Sequence, residues 1–350
     1  MSAPANPLSA DLDHIIEQLR PVADELRGAR IFVTGGTGFI GCWMLESLAW
    51  ANDRLGLGAE ALVLTRNFDA FQKKAPHLTT RGDICFHLGD VRDFEFPAGK
   101  FSHVIHAATD ASAKLNEQDP ASMLDTIVLG TFRALDFAAR CGAGKFLLTS
   151  SGAVYGRQPP NLPQVAEEYL GGPDISLPAS AYGEGKRLSE LACLLRGGRD
   201  GIQIKVARCF AFVGPYLPLD IHFAVGNFIR DALAGGPIKV QGDGTPLRSY
   251  LYAADLVIWL WRILLQGQDR RAYNVGSNRA VSIAETAAAV SRVLPGHLPV
   301  SIAKTPVPGQ APPRYVPDVA RAQAELGLRE WICLEDGILR TARWHQRQKV

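Results

Sequence analysis

From residue 30 to residue 210 the chain alternates short apolar runs with amphipathic stretches, and this rhythm restricts its fold more than any other feature. RIFVT (30–34), ALVLT (61–65), CFHLGD (85–90), HVIHAA (103–108), KFLLTS (145–150) and IQIKVARCF (202–210) read as strands. FIGCWMLESLAWAN (39–52), ASMLDTIVLGTFRALDFAARC (121–141) and SAYGEGKRLSELACLL (180–195) carry helical spacing between them. Apolar strands separated by helices require a parallel sheet covered on both faces. The expected fold class is therefore α/β, a Rossmann-type doubly wound parallel sheet. Beyond residue 210, Gly and Pro rise and the elements shorten, the profile of a smaller C-terminal α/β region. Ahead of the sheet, residues 9–27 have helical spacing. Ser9 suits an N-cap and Pro21 is expected to kink or split the helix, whose role is packing.

Bulk properties exclude several function classes. The 350 residues are 47% hydrophobic and 21% charged, with a net charge of +2 and no basic block, so nothing points to nucleic acid. No apolar stretch is long enough to span a membrane. The first residues lack the pattern of a secretory signal, so a cytoplasmic location is expected. Six scattered cysteines without a CxxC pair fit reduced thiols rather than a disulfide framework, and no metal site is expected.

TGGTGFIG (34–41) places Gly35, Gly38 and Gly41 in GxxGxxG spacing between a strand and a helix. Glycines there let the chain turn tightly and let a pyrophosphate approach the free N–H groups of the helix. The strand–turn–helix context raises this above a chance glycine string. An acid ending the second strand would bind the ribose 2′-hydroxyl of NAD, but this chain has Thr65, Arg66 and Asn67. Arg66 suits the 2′-phosphate of NADP, and the reading leans to NADP over NAD. A surface arginine stacking on adenine is the plainer alternative. Asp90 in LGDVRD is expected to accept from the adenine amino group, or merely to cap a turn.

Tyr182 and Lys186 form YxxxK, which puts both on one face of a helix. An ammonium beside a phenol favours the phenolate and lowers its pKa, making a general base or acid for a sugar hydroxyl or ketone. YxxxK is common by chance. Its weight here comes from the upstream glycine cradle and from TSSGAVYG, a strand ending in hydroxyls at 149–151. His106 on an apolar strand reads as a core histidine, and Trp259 and Trp261 as packing.

In order, TGGTGFIG, LGDVRD, VIHAA, GT (130–131), TSSGAVYG, AYGEGK, ARCFAFVGP, GDGTPLRSYLYAADL and YNVGS resemble the motifs of the extended short-chain dehydrogenases/reductases. These are the NAD(P)-dependent nucleotide-sugar epimerases, dehydratases and ketoreductases, and the likeness covers about residues 29–345. The resemblance implies a Ser151–Tyr182–Lys186 triad. It implies cofactor contacts from Gly35, Thr37, Gly38, Phe39, Ile40, Arg66, Asp90, Val91, Ala107, Ala108, Thr149, Tyr182 and Lys186. For a nucleotide-diphosphate sugar it implies Ser151, Tyr155, Asn227, Arg248 and Arg314, with Arg248 and Arg314 as candidates for the diphosphate. It also implies a homodimer formed through the helices at 121–141 and 180–195. The expected organisation is an extension at 1–28, a dinucleotide-binding domain at 29–208 to which 250–279 return, and a substrate-binding region at 209–249 and 280–350.

Three departures qualify the resemblance. The acid after the second strand is missing. Ala211 replaces the asparagine of the RxFN motif, and Ile127 replaces the asparagine before GT. Gly152 and Ala153 follow the triad serine where 4,6-dehydratases carry acid groups. Elimination of water needs a general acid and a base, which these two residues cannot supply. Decarboxylation assisted by a glutamate is disfavoured likewise. The expected reaction is epimerisation or 4-keto reduction. A 4,6-dehydratase drawing an acid from elsewhere, such as Asp110 or Glu184, is the alternative within the enzymes. A non-catalytic dinucleotide or nucleotide-sugar sensor is the alternative outside them.

Overall fold

The computed structural model describes residues 6–109, 113–221 and 223–348. Seven strands form one sheet: β1 (Arg30–Thr34), β2 (Glu60–Thr65), β3 (Ile84–Leu88), β4 (His103–His106), β5 (Lys145–Ser151), β6 (Gln203–Cys209) and a last strand, Arg271–Val275. Their order across the sheet, from that last strand, is β6, β5, β4, β1, β2, β3, and every pairing is parallel. Chain order reverses between β1 and β4. At such a switch point the connections leave toward opposite faces and open a crevice at the carboxyl ends of the strands.

The helices cover the sheet through the apolar faces that their spacing implies. Helix α1 (Ser9–Leu19) ends before Pro21, as expected, and buries Leu12, Ile15, Ile16 and Leu19. Its buried Asp11 accepts from the Tyr252 hydroxyl at 2.6 Å and pairs with Arg340, tying the N-terminal helix to the C-terminal one. Helix α2 (Phe39–Leu55) follows the glycine turn. Helices α3 (Pro120–Cys141) and α4 (Ala181–Asp200) pack side by side. Helix α5 (Ala253–Gln266) is buried nearly all round, with Trp259 and Trp261 in the core as read from the sequence.

The rest of the chain is made of short pieces. Leu247–Arg248 lies between Val281–Ser282 and Arg314–Tyr315 in a three-stranded ribbon. Neighbouring residues on a strand point to opposite faces. Arg248 and Tyr315, paired in register, therefore share one face, while Leu247 and Arg314 share the other.

Candidate active site

The cradle begins where β1 ends. Gly35 has φ +71, and a Cβ built on it would lie 2.4 Å from the Ala107 backbone at the end of β4. A Cβ on Gly41 would lie 2.3 Å from the Gly35 carbonyl. Only glycine fits either position, and the result is a chain that passes close to β4 and then enters α2 with Gly38 as N-cap. The first N–H groups of a helix have no intrahelical acceptor. Phe39 and Ile40 thus offer backbone donors, whereas their side chains pack inward or against Phe212.

A cleft of about 200 Å³ opens there, lined by Gly35, Thr37 and Gly38 from the turn, Arg66 after β2, Asp90 and Val91 after β3, and Ala107 and Ala108 after β4. Eight of the thirteen lining residues are cofactor candidates named from the sequence. Asp90 lines the cleft, and its carboxylate accepts from Arg92 at 2.8 Å and from the Arg92 backbone N–H, which holds its pKa below the usual carboxylate value. The turn-capping contact is present, and it leaves Asp90 on the wall of the cleft. The residues lining this cleft suit a dinucleotide, because a cradle without side chains and a set of free N–H groups leave room and donors for a pyrophosphate.

The catalytic candidates stand at the end of β5. Ser151 pairs in register with Cys209 of β6, and Ser150 with Arg208, so the two serines serve opposite faces. On one face Ser150 donates to Glu190 at 2.5 Å, and Arg208 holds the same carboxylate at 2.7 Å. On the other face Ser151 lies beside Tyr182, and its hydrogen bond pulls the phenol's pKa down. Burial outweighs that pull, and the Tyr182 pKa stands above its ordinary value. The sequence reading expected Lys186 to lower it. Instead the Lys186 ammonium donates to Thr109 Oγ1 at 2.5 Å and to the Thr149 carbonyl at 2.8 Å. Burial lowers the Lys186 pKa itself to about 8. Tyr182 in this state is a neutral phenol, an acid ready to give a proton.

No carboxylate is among the groups that shift Tyr182. Glu184, one of the two acids suggested as a substitute, pairs with Arg187 at 3.6 Å. Asp110, the other, lies outside the described residues. Gly152 is closed in, since a Cβ there would come 2.7 Å from the Phe210 ring and 2.8 Å from the Tyr315 hydroxyl.

The sugar-side candidates divide. Arg248 makes no ion pair among the described residues, and its charge acts on Tyr315, whose hydroxyl lies 3.5 Å from Ser151 Oγ. Arg314 sits on the other face of the ribbon and is not brought to them. The Tyr155 ring is buried, and its hydroxyl donates to Asn274 at 2.7 Å and accepts from Arg208 at 2.9 Å. It braces strand ends rather than facing the cleft. Asn227, on the helix Ala224–Leu233, accepts from Arg230 one turn later. Thr149 is buried and acts through the carbonyl that holds Lys186. His106 is a core residue: its ring nitrogens meet Thr34 at 2.8 Å and Thr131 at 3.2 Å, and burial drives its pKa down to about 3. Sequence reasoning missed Thr109 and Tyr315. Thr109 directly follows the VIHAA run, a signal that was available; Tyr315 had none beyond its place beside Arg314.

Comparison with known proteins agrees with this geometry. Residues 31–276 match the NAD dependent epimerase/dehydratase family. UDP-glucuronic acid decarboxylase 6 of Arabidopsis thaliana is 32% identical over 310 residues, spanning 88% of this chain and 86% of that protein. The dTDP-glucose 4,6-dehydratase DesIV of Streptomyces venezuelae, solved with NAD bound, superposes with a TM-score of 0.76 at 24% identity, over 91% of this chain and 97% of that one. The UDP-glucuronic acid 4-epimerase of Bacillus cereus, solved with UDP-glucuronic acid and NAD, gives 0.76 at 20% identity, over 91% and 99%. A sheet that reverses at β1 and β4, a glycine cradle at the carboxyl end of β1 and a Ser–Tyr–Lys centre beside it have the ancestry that these matches describe: the chain belongs to the NAD-dependent epimerase/dehydratase family, nucleotide-sugar enzymes of the extended short-chain dehydrogenase/reductase type.

Proposed function

We propose that the enzyme moves hydride at one carbon of a UDP-sugar and ends in epimerisation or in reduction of a 4-keto sugar. One observation carries this reading: Ser151 and Tyr182 meet at the end of β5, while position 152 has neither an acid nor room for one. The glycine turn, the α2 N–H groups and Lys186 would hold the dinucleotide, whose nicotinamide supplies or accepts the hydride when bound. Tyr182 gives its phenolic proton to the sugar oxygen as a ketone is reduced, and takes it back as an alcohol is oxidised. Ser151 orients that oxygen, and the Lys186 charge favours the phenolate formed in passing. Arg248 pairs with the diphosphate.

The relatives supply the UDP and a second reading. Proteins named UDP-glucuronic acid decarboxylase match most of this chain, which favours UDP-glucuronic acid as substrate and allows loss of carbon dioxide as an outcome. Exposed Arg66, with no acid at the end of β2, favours NADP over NAD. α3 and α4 expose Leu129 and Phe132 beside Leu188, Leu191 and Leu195, an apolar face that a second copy would cover in a homodimer. A monomeric native mass would contradict that. A cytoplasmic location belongs to the same reading, and no helix among the described residues is long and apolar enough to cross a membrane.

The test is Tyr182→Phe. Turnover of UDP-sugars should fall about 10²- to 10⁴-fold with cofactor affinity kept, the range expected for loss of a positioned proton donor. Turnover close to wild type would refute the assignment.

A further inference from the structure

Lys186 is 2% exposed, so its charge must be matched by the protein rather than by bulk water. Three titratable groups act on it among the described residues: Cys209 from β6, and Glu190 and Cys193 from its own helix. Burial pushes both thiols up, Cys209 to about 12, so neither supplies an anion near neutral pH. Glu190 is the one carboxylate of the three, and it is committed to Arg208 and Ser150. Tyr182, one turn earlier, is a neutral phenol, and burial keeps His106 of β4 neutral. The ammonium is therefore held by two neutral oxygens, Thr109 Oγ1 at 2.5 Å and the Thr149 carbonyl at 2.8 Å. An ammonium has three donors, so these contacts leave one for a ligand.

Thr149 contributes main chain at the end of β5, which the sheet fixes. Thr109 contributes a side chain on the loop after β4, and it also lines the cleft. Its hydroxyl donates to the Ala108 carbonyl at 2.8 Å, which turns its lone pairs to the ammonium. Ala108 is pinned in turn: its N–H donates to Thr34 Oγ1 at 3.2 Å, and a Cβ on Gly35 would come 2.5 Å from its nitrogen. The glycine cradle thus sets where the acceptor stands.

We propose that Thr109 is a positioning residue for Lys186: its hydroxyl fixes the ammonium at the cleft and stabilises its charge. The proposal rests on the reading of Lys186 as a residue that holds the dinucleotide. An acceptor bonded to the charged form favours that form, and its removal leaves a buried cation with one partner. Burial already brings the Lys186 pKa down to about 8, so the charge is present below that pH and lost as the pH rises through it. Without the Thr109 hydroxyl the same loss comes at lower pH.

The experiment titrates NADH and NADPH into the intact protein and follows reduced-nicotinamide fluorescence between about pH 6 and about pH 9.5. A break common to both cofactors belongs to the protein rather than to the 2′-phosphate. Wild-type affinity should fall as the pH rises through about 8. Thr109→Val should move that break about one unit toward lower pH, in line with loss of one hydrogen bond to a charged group. It should then bind roughly fivefold more weakly than wild type at about pH 8 and nearly as well at about pH 6. Thr109→Ser, which keeps the hydroxyl, should restore the wild-type break. Thr109→Ala also lacks the hydroxyl and takes the place of the valine variant if that does not fold. A merely structural role would weaken binding by one factor at every pH, and that result overturns the proposal. If wild-type affinity is flat through about pH 8, the reading of Lys186 fails and takes the proposal with it. If the wild type breaks there and Thr109→Val breaks at the same pH, only this inference fails.

Discussion

The two sides of the cleft are built differently. The cofactor side is main chain and small residues: a glycine turn, a helix start and the first residues after β2, β3 and β4. Each piece ends a strand of one continuous sheet, so the sheet alone sets their positions. The sugar side is side chains on two-residue strands, Arg248 and Tyr315, brought together from separate parts of the chain. The first side is fixed by the fold. The second is fixed by the register of a ribbon, and a shift of one residue would turn Tyr315 away and Arg314 in.

That contrast gives graded expectations. The largest effect belongs to the cradle. Gly35→Ala places a methyl 2.4 Å from the Ala107 backbone at φ +71. It should cost dinucleotide affinity about a hundredfold or more, as left-handed strain adds to the clash. A titration showing near-normal affinity would mean that the turn is not the binding element. Next comes Arg66→Ala, which should weaken NADP(H) roughly tenfold, in line with loss of a charge-assisted hydrogen bond, and barely change NAD(H). Equal loss for both would take the 2′-phosphate away from Arg66.

A smaller effect comes from Lys186. Burial lowers its pKa to about 8, so the ammonium is intact below that pH and is lost as the pH rises through it. In the ketone-reducing direction kcat/KM should fall roughly fivefold between about pH 8 and about pH 9. A flat profile over that interval would show that the Lys186 charge does not assist Tyr182.

Legibility in the sequence follows the same division. The sheet, its helices and the cradle could be read because strand and helix periodicity and glycine spacing are local signals. Ser151, Tyr182 and Lys186 could be read because strand-end and i,i+4 placement are local too. The Tyr182 pKa could not: it depends on where Lys186 spends its donors, and Thr109 and the Thr149 carbonyl take them. Arg314 was named, and Tyr315 was not, because an arginine announces diphosphate chemistry by type alone. Which of two adjacent residues faces the site depends on pairing with Leu247–Arg248, and strands of two residues carry no periodicity to reveal it. Tyr155 lies in a recognisable motif, but its hydroxyl is used by Asn274 and Arg208, partners that only the folded chain brings near.

The central claim is that a centre of hydroxyls without an acid at position 152 transfers hydride and breaks no C–O or C–C bond. Mass analysis of the products formed from UDP-glucose, UDP-glucuronic acid and their 4-keto forms, with NAD(H) and NADP(H) supplied, tests it most directly. The expected products are a nucleotide sugar of unchanged mass from the first two, or one gaining two hydrogens from a 4-keto form. A product that has lost water or carbon dioxide would contradict it.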